Sequence, residues 1–309
     1  MNYDSLTMIL TNEYDLSINF LSQIPHELVI TSKGIEYGIP FIRGKIRNLK
    51  IRITKSKIKI EGSIHVFYKG NNLDAMSFKE YIEAMELLKE CLELPLEMAR
   101  VSRLDFSGNM KVKHDPAAYF NFFGQKSRFI KSVLDNGVIY GSEEKGLIFY
   151  DKIREMKRKR EVIPEYFKGK NIMRFEMRFT RKLGKTFHVP ELQVLHLMDR
   201  SFFNKLCLMW RQEFKSLIME MESPIKLQPI GSKTRLIESL ALQQIHSIGI
   251  DQFLSEISSW QLGKEITKKE AYEIRKFIRE KASENYPVAE NPLIRELNMK
   301  VKAEARYQV

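Results

Sequence analysis

Cysteine is nearly absent: Cys91 and Cys207 are the only two in 309 residues, far apart and in no metal-ligand spacing. That excludes a clustered thiolate metal site and fits a reduced cytoplasmic setting. Long apolar runs are missing too, since no stretch approaches the roughly 18 uninterrupted apolar residues needed to cross a bilayer. Met1 to Thr11 lacks the basic start and apolar core of a secretory signal. The expectation is a cytoplasmic protein of a bacterial host cell, with no membrane partner. Internal repeats and low-complexity tracts are also lacking. What the chain has in excess is positive charge, with 51 Lys and Arg against 39 Asp and Glu, a net +12. Such an excess draws polyanions through counterion release and steering, so DNA is the natural partner.

The charge is uneven. From Phe41 to Ile60 there are eight basic residues and no acid. Arg43, Lys45 and Arg47 alternate with Ile42, Gly44 and Ile46, and Lys55, Lys57 and Lys59 alternate with Ser56, Ile58 and Ile60. Two-residue alternation predicts half-buried strands with one charged face, able to lie along phosphates or enter a groove. Asp151 to Lys185 carries thirteen basic residues and five acids, a net +8. Its run Lys157, Arg158, Lys159 and Arg160 follows directly on a tyrosine-bearing strand, where scissile-strand phosphates would lie.

Periodicity predicts an α+β fold. An antiparallel β-sheet catalytic domain with helices packed on one face occupies 1–187, and a helical C-terminal domain occupies 188–309. Strands are expected over Ile60–Lys69, Val101–Phe106, Val138–Ser142, Gly146–Asp151 and Ile172–Phe179. Helices are expected over Met76–Leu92, Pro116–Ile130, Ile153–Arg160, Ser201–Met221, Lys233–Ser247, Ile250–Trp260 and Lys268–Ala282.

Three short strands carry the chemistry. Arg103-Leu104-Asp105, Ile148 to Lys152 and Arg174-Phe175-Glu176 each put apolar residues one way and ionisable residues the other. If they neighbour one another, one face gathers Asp105, Tyr150, Lys152 and Glu176. Two carboxylates can hold a divalent metal, a phenol oxygen can attack phosphorus, and an ammonium can favour the phenolate. Hard oxygen ligands select Mg²⁺ or Mn²⁺. Arg103, Arg174 and Arg178 share that face, to clamp phosphate or hold the carboxylates. Asp151 points the other way and is read as structural. Tyr140, before Gly141-Ser142, is the rival nucleophile, and Tyr150 is preferred because Lys152 stands beside it.

Val101 to Asp105, then Tyr140-Gly141-Ser142 leading to Ile148 to Lys152, then Arg174-Phe175-Glu176 resemble the signature of phage and plasmid rolling-circle replication initiators of the gene II/X type. Those are similar in turn to Rep_trans plasmid initiators. Gly62 to His65 and Gly70-Asn71-Asn72 resemble the strand and turn preceding the aspartate motif, so the likeness covers about residues 60–182. It implies a nickase that cuts one strand at a replication origin, stays joined to the 5′ phosphate and later reseals the circle. It maps the nucleophile onto Tyr150 and the metal carboxylates onto Asp105 and Glu176. Some relatives place a glutamate where this chain offers His65 or, further back, Glu61; His65 is preferred as third ligand.

The leading expectation is a metal-dependent nicking-closing endonuclease acting on single-stranded or hairpin origin DNA. A conjugative relaxase shares the chemistry, and a non-catalytic DNA-binding regulator is the alternative from another class. The C-terminal helices are open to reading DNA, oligomerisation, bracing, or recruiting a host helicase or polymerase.

Overall fold

Alternating apolar residues over the first 180 positions become strands, and the Gly/Pro-poor stretches beyond them become helices. The computed structural model describes residues 1–217, 250–282 and 292–306, with six further helical positions from 234 to 245. The strands are β1 (Asn2–Thr11), β2 (Val29–Glu36), β3 (Ile39–Ile46), β4 (Leu49–Ile53), β5 (Lys57–Ser63), β6 (Arg100–Val112), β7 (Ile130–Leu134), β8 (Gly137–Gly141), β9 (Lys145–Asp151) and β10 (Asn171–Phe179). All ten join one sheet in the order β2-β3-β4-β5-β1-β6-β10-β9-β8-β7. Every pairing is antiparallel. The helices are α1 (Ile64–Lys69), α2 (Phe78–Leu92), α3 (Ala117–Phe120), α4 (Lys152–Lys159), α5 (Leu183–Phe187), α6 (Val194–Leu197), α7 (Arg200–Leu217), α8 (Ile250–Leu262), α9 (Lys268–Ala282) and α10 (Pro292–Arg306). The α+β class is as expected.

One face of the central strands is aromatic. Phe175 stacks on Phe149 with centroids 4.2 Å apart, and Phe123 lies 4.0 Å beyond Phe149. Trp210 of α7 closes this layer from above. Its ring sits 5.0 Å from Phe175, and its indole N–H donates to the Phe175 carbonyl at 3.1 Å. Because α7 covers the sheet in this way, Met1–Ile218 and Leu297–Val309 form one compact unit and Met219–Glu296 a second. The expected boundary after residue 187 falls inside the first unit. Within the second, Ile257 and Ala271 are buried on facing apolar stripes of α8 and α9.

Two expected elements differ. The alternation over Ile60–Lys69 does not continue as strand: β5 stops at Ser63, whose side chain accepts from Val66 N–H, and α1 runs to Gly70, a left-handed C-cap. A serine N-cap and a glycine C-cap, seven residues apart, outweigh the alternating pattern. The helix expected over Pro116–Ile130 is only the single turn α3, because the chain then bends so that Gly124 N–H reaches the Leu217 carbonyl at 2.7 Å. Most of the expected helix Lys233–Ser247, and the end of Ser201–Met221, lie outside the described residues.

Removing the indole should expose how much the sheet depends on α7. Trp210→Ala is expected to cost about 3–5 kcal/mol in urea unfolding; a loss under about 1 kcal/mol would contradict the packing of α7 on the sheet.

Candidate active site

Strands β6, β10 and β9 are consecutive neighbours, so their ionisable faces coincide. Asp105 stands opposite Arg178, Ser107 opposite Glu176, and Asn109 opposite Arg174, which in turn faces Tyr150. Asp105, Tyr150, Glu176 and Arg178 line a cavity of about 510 Å³ that also takes in Asp4, Asn72, Lys152 and Glu155, while Arg174 and Ser107 are buried beneath it. Tyr150 Oη lies 3.5 Å from Glu176 Oε2. Arg178 bridges the two carboxylates, with Nη2 2.8 Å from Glu176 Oε1 and Nε 3.3 Å from Asp105 Oδ2. Arg103 Nε donates to Asp105 Oδ1 at 3.0 Å. The strand bearing Tyr150 has no slack on its other side. A Cβ built on Gly137, its partner in β8, would sit 2.2 Å from the Phe149 carbonyl oxygen and 2.9 Å from Tyr150 Cβ.

A fourth acid completes the floor. The β1–β6 register shifts between Tyr3 and Leu6, leaving Asp4 and Ser5 together opposite Asp105. Such a bulge redirects a side chain, and Asp4 reaches the buried Arg174, 2.7 Å from Nη2. Arg174 also donates to Ser107 Oγ at 2.6 Å, to the Asn72 carbonyl at 3.0 Å and to Asn109 Oδ1 at 3.2 Å. Its Nε makes no hydrogen bond and lies 3.9 Å from Glu176 Oε2. Nothing in the sequence marked Asp4 except that it is the one acid in the otherwise apolar and neutral run Met1 to Thr11.

Burial governs the electrostatics. It pushes the Tyr150 phenol well above its usual value; Arg174 is the cation that pulls it back, and Glu176 and Asp4 add to the rise. Glu176 is raised by burial and then by Asp105 and Asp4, against Arg174 and Arg178. Burial would raise Asp4 as well, but Arg174 and the Ser63 hydroxyl outweigh it and hold the carboxyl at about 2.

Residues 36–201, a little over half of the chain, match the Phage_CRI family, whose model describes the N-terminal part of a phage replication-associated protein. The chain belongs to that family. Membership assigns it a role in phage replication initiation and implies DNA as a partner. The matched stretch contains β3–β10 and hence Asp105, Tyr150, Arg174 and Glu176, while Asp4 precedes it. No curated protein is similar enough to the chain to match it.

Other expected site residues are placed differently from the strand pattern, some of them still within the cavity lining. Lys152 does not continue the Tyr150 strand: Asp151 caps α4, accepting from Arg154 N–H at 2.9 Å, and Lys152 is the first helical residue. Its ammonium is buried, pairs with Glu155 at 2.8 Å, and lies over the Tyr150 ring, 6.0 Å from the centroid. Burial and Arg174 lower its pKa. Lys152 does not figure among the charges that shift the phenol, whereas Arg174 is the cation that does. His65 is buried on α1, away from the cavity lining, with Nδ1 against the Asn2 side chain. Burial drives its pKa to about 4 despite Asp4, so it is neutral. Tyr140 is in the aromatic core, its hydroxyl donating to the Gly124 carbonyl at 2.5 Å, and burial raises it to about 12. Arg47 leaves the charged face: it sits in the β3–β4 turn at φ 50° and donates to the Phe67 carbonyl at 2.8 Å. Lys55 lies in the β4–β5 turn, whereas Arg43, Lys45, Lys57 and Lys59 are on strands. Of the basic run, Arg158 and Lys159 line the cavity; Lys157 and Arg160 do not.

Among the described residues, no group of three or more His, Cys, Asp or Glu side chains is placed to hold a metal ion. Asp105 and Glu176 nevertheless form a pair of hard oxygen donors, and the repulsion that raises Glu176 is what a dication would relieve. Mg²⁺ is commonly held by one or two carboxylates with water and phosphate oxygens, and this pair fits that pattern without His65.

His65 makes a pH test. A histidine whose folded pKa is depressed from 6.5 to about 4 contributes stability that is complete above 6.5 and lost as pH falls through 4, on the order of 3 kcal/mol. Asp4 loses its contribution only below this window, and the raised Glu176 acts in the opposite sense. Urea midpoints measured between pH 7 and 4 should fall less steeply in His65→Gln than in wild type; parallel curves would refute the neutral buried imidazole.

Proposed function

We propose that the protein is a nicking-closing endonuclease that starts rolling-circle replication of a phage genome, with Tyr150 as nucleophile. One observation carries the reading: the Tyr150 hydroxyl lies 3.5 Å from Glu176, a carboxylate whose proton affinity is raised, and Tyr150 is the cross-strand partner of the buried Arg174, in a cavity also lined by Arg103, Arg178, Arg158 and Lys159. The gene II/X type of initiator, with its relation to Rep_trans nickases, is the subclass that the three motifs support.

The phenol is too weak an acid here to be ionised at neutral pH, so its proton must leave as the bond forms. Glu176 Oε2 is the nearest acceptor. Tyr150 Oη attacks phosphorus, the P–O3′ bond breaks, and the departing 3′ oxygen takes up a proton. The net transfer is from phenol to 3′ hydroxyl, and one phosphodiester replaces another. Closing is the reverse and needs no ATP. Arg174 touches no substrate; it favours the phenolate and ties it to Asp4. Arg103 and Arg178, partly exposed, can clamp the scissile phosphate. Asp105 and Glu176 are the residues that would hold Mg²⁺ or Mn²⁺, which would supply polarisation of that phosphate when bound.

Purified protein incubated with Mn²⁺ and the supercoiled replicon that carries its gene should give open circles with protein attached, seen on a denaturing gel as a protease-sensitive band. Tyr150→Phe should reduce the band to background, and nicking at the wild-type level would remove Tyr150 from the mechanism. Arg174→Lys, which keeps the charge but loses the planar fork, should slow adduct formation by about 10–100-fold and move its pH profile upward. DNA binding with no adduct under any metal would leave a non-catalytic regulator.

A further inference from the structure

The cavity accounts for one end of the sheet's polar face. At the other end, the hairpin β2–β3 has no role in it. Every residue of β2 but the last is exposed, so this strand buries neither face. Apolar side chains stand in solvent along the hairpin, Val29 at 69%, Ile35 at 73% and Ile39 at 52%, and Tyr37 at its tip is 98% exposed. The tip is a tight turn with positive φ at both central residues, Tyr37 and Gly38, which fixes the ribbon's twist.

Beside the ribbon lies a like-charged surface. Lys45 faces Lys50 directly, and Arg43 faces Arg52. Opposed like charges destabilise a sheet. Glu36 relieves the arginines, at 3.0 Å from Arg43 and 2.7 Å from Arg52. Both guanidiniums also stack over Phe41, 4.4 and 5.0 Å from its centroid, and are thereby held in place. Lys45 and Lys50 have no acidic partner within ion-pair distance among the described residues. With Thr31, Arg43, Arg52 and Lys59 they line a depression of about 360 Å³. Register carries this surface toward the cavity, since Lys45, Lys50, Glu61, Thr7 and Arg103 are successive cross-strand partners on one face.

We propose that β2–β5 is a docking surface for duplex DNA flanking the nick, with the β2–β3 ribbon entering a groove and Lys45 and Lys50 on phosphates. The charge selects a polyanion over a second copy of this chain, whose own Lys45 and Lys50 would repel these. A groove about 12 Å wide admits a two-stranded ribbon. From β3 to β9 there are six strand steps of ~4.8 Å, about 29 Å across the sheet. That is close to one turn of B-form DNA. This offset rests on Tyr150 being the nicking residue; the docking itself does not.

The test measures binding of full-length protein to a mixed-sequence 30-base-pair duplex by fluorescence anisotropy across a salt series. Lys45→Ala/Lys50→Ala should weaken binding about tenfold and lower the slope of log affinity against log salt by about 2. Lys45→Arg/Lys50→Arg should restore both, which separates lost charge from lost fold. Tyr37→Ser should weaken binding with the slope unchanged, because its contact is not ionic. On replicon DNA, protection should appear about one helical turn from the nick. No duplex binding by wild type, or wild-type affinity and slope in the double alanine variant, overturns the proposal. So does an effect of these variants on self-association alone. Failure of wild type to form a covalent adduct would sink the nickase reading instead, and would leave the duplex measurement standing.

Discussion

The site depends on one buried charge. Arg174 has no exposed surface, and its partners come from β1, β6, and the turn after α1, so a single guanidinium fastens three separate parts of the chain to β10. A buried cation is tolerable only with an anion and further acceptors around it. Asp4 supplies the anion, and Ser107, Asn109 and the Asn72 carbonyl supply the rest. Loss of one partner from such a set costs far more than a surface ion pair is worth, because the other is left in a low-dielectric interior. The bulge that turns Asp4 inward is thus tied to Arg174 two strands away, and through it to Tyr150 on the next strand.

The same burial sets a tension at Tyr150. A phenol kept from water resists ionisation, which under the proposed nicking chemistry would protect the nucleophile when no phosphate is present but make it sluggish. The counterweights are Arg174, which favours the anion, and Glu176, whose raised proton affinity makes it a better acceptor for the phenol proton. Desolvation that disfavours charge in the empty cavity would, in the proposed reaction, also strengthen each electrostatic contact made to a bound phosphate.

Much of this was legible from pattern. The alternation in Arg103-Leu104-Asp105 and in Ile172 to Phe179 is carried by residues that pack on Trp210 and Phe149 on one side, so it reports the true faces of the strands. The misplacements share a cause. Lys152, His65 and Arg47 each lie one or two residues beyond a strand end, where alternation was carried past a cap or a turn. Asp151 and Ser63 are N-cap residues, and that local signal was present in the sequence. The boundary expected at 187 had a different origin: a helical periodicity does not say whether the helix packs against its neighbours or against a sheet formed by residues far upstream.

By itself the sequence determined strands β6, β8, β9 and β10 and the polarity of the faces that carry Asp105, Tyr150 and Glu176, because these follow from period and residue type. Only the tertiary structure decided that Arg174 is the charge that most favours the phenolate, that Asp4 joins the cavity lining, and that His65 and Tyr140 do not. Those outcomes turn on strand order, a one-residue register shift and burial, which arise from contacts between residues up to 170 positions apart, as in Asp4 and Arg174.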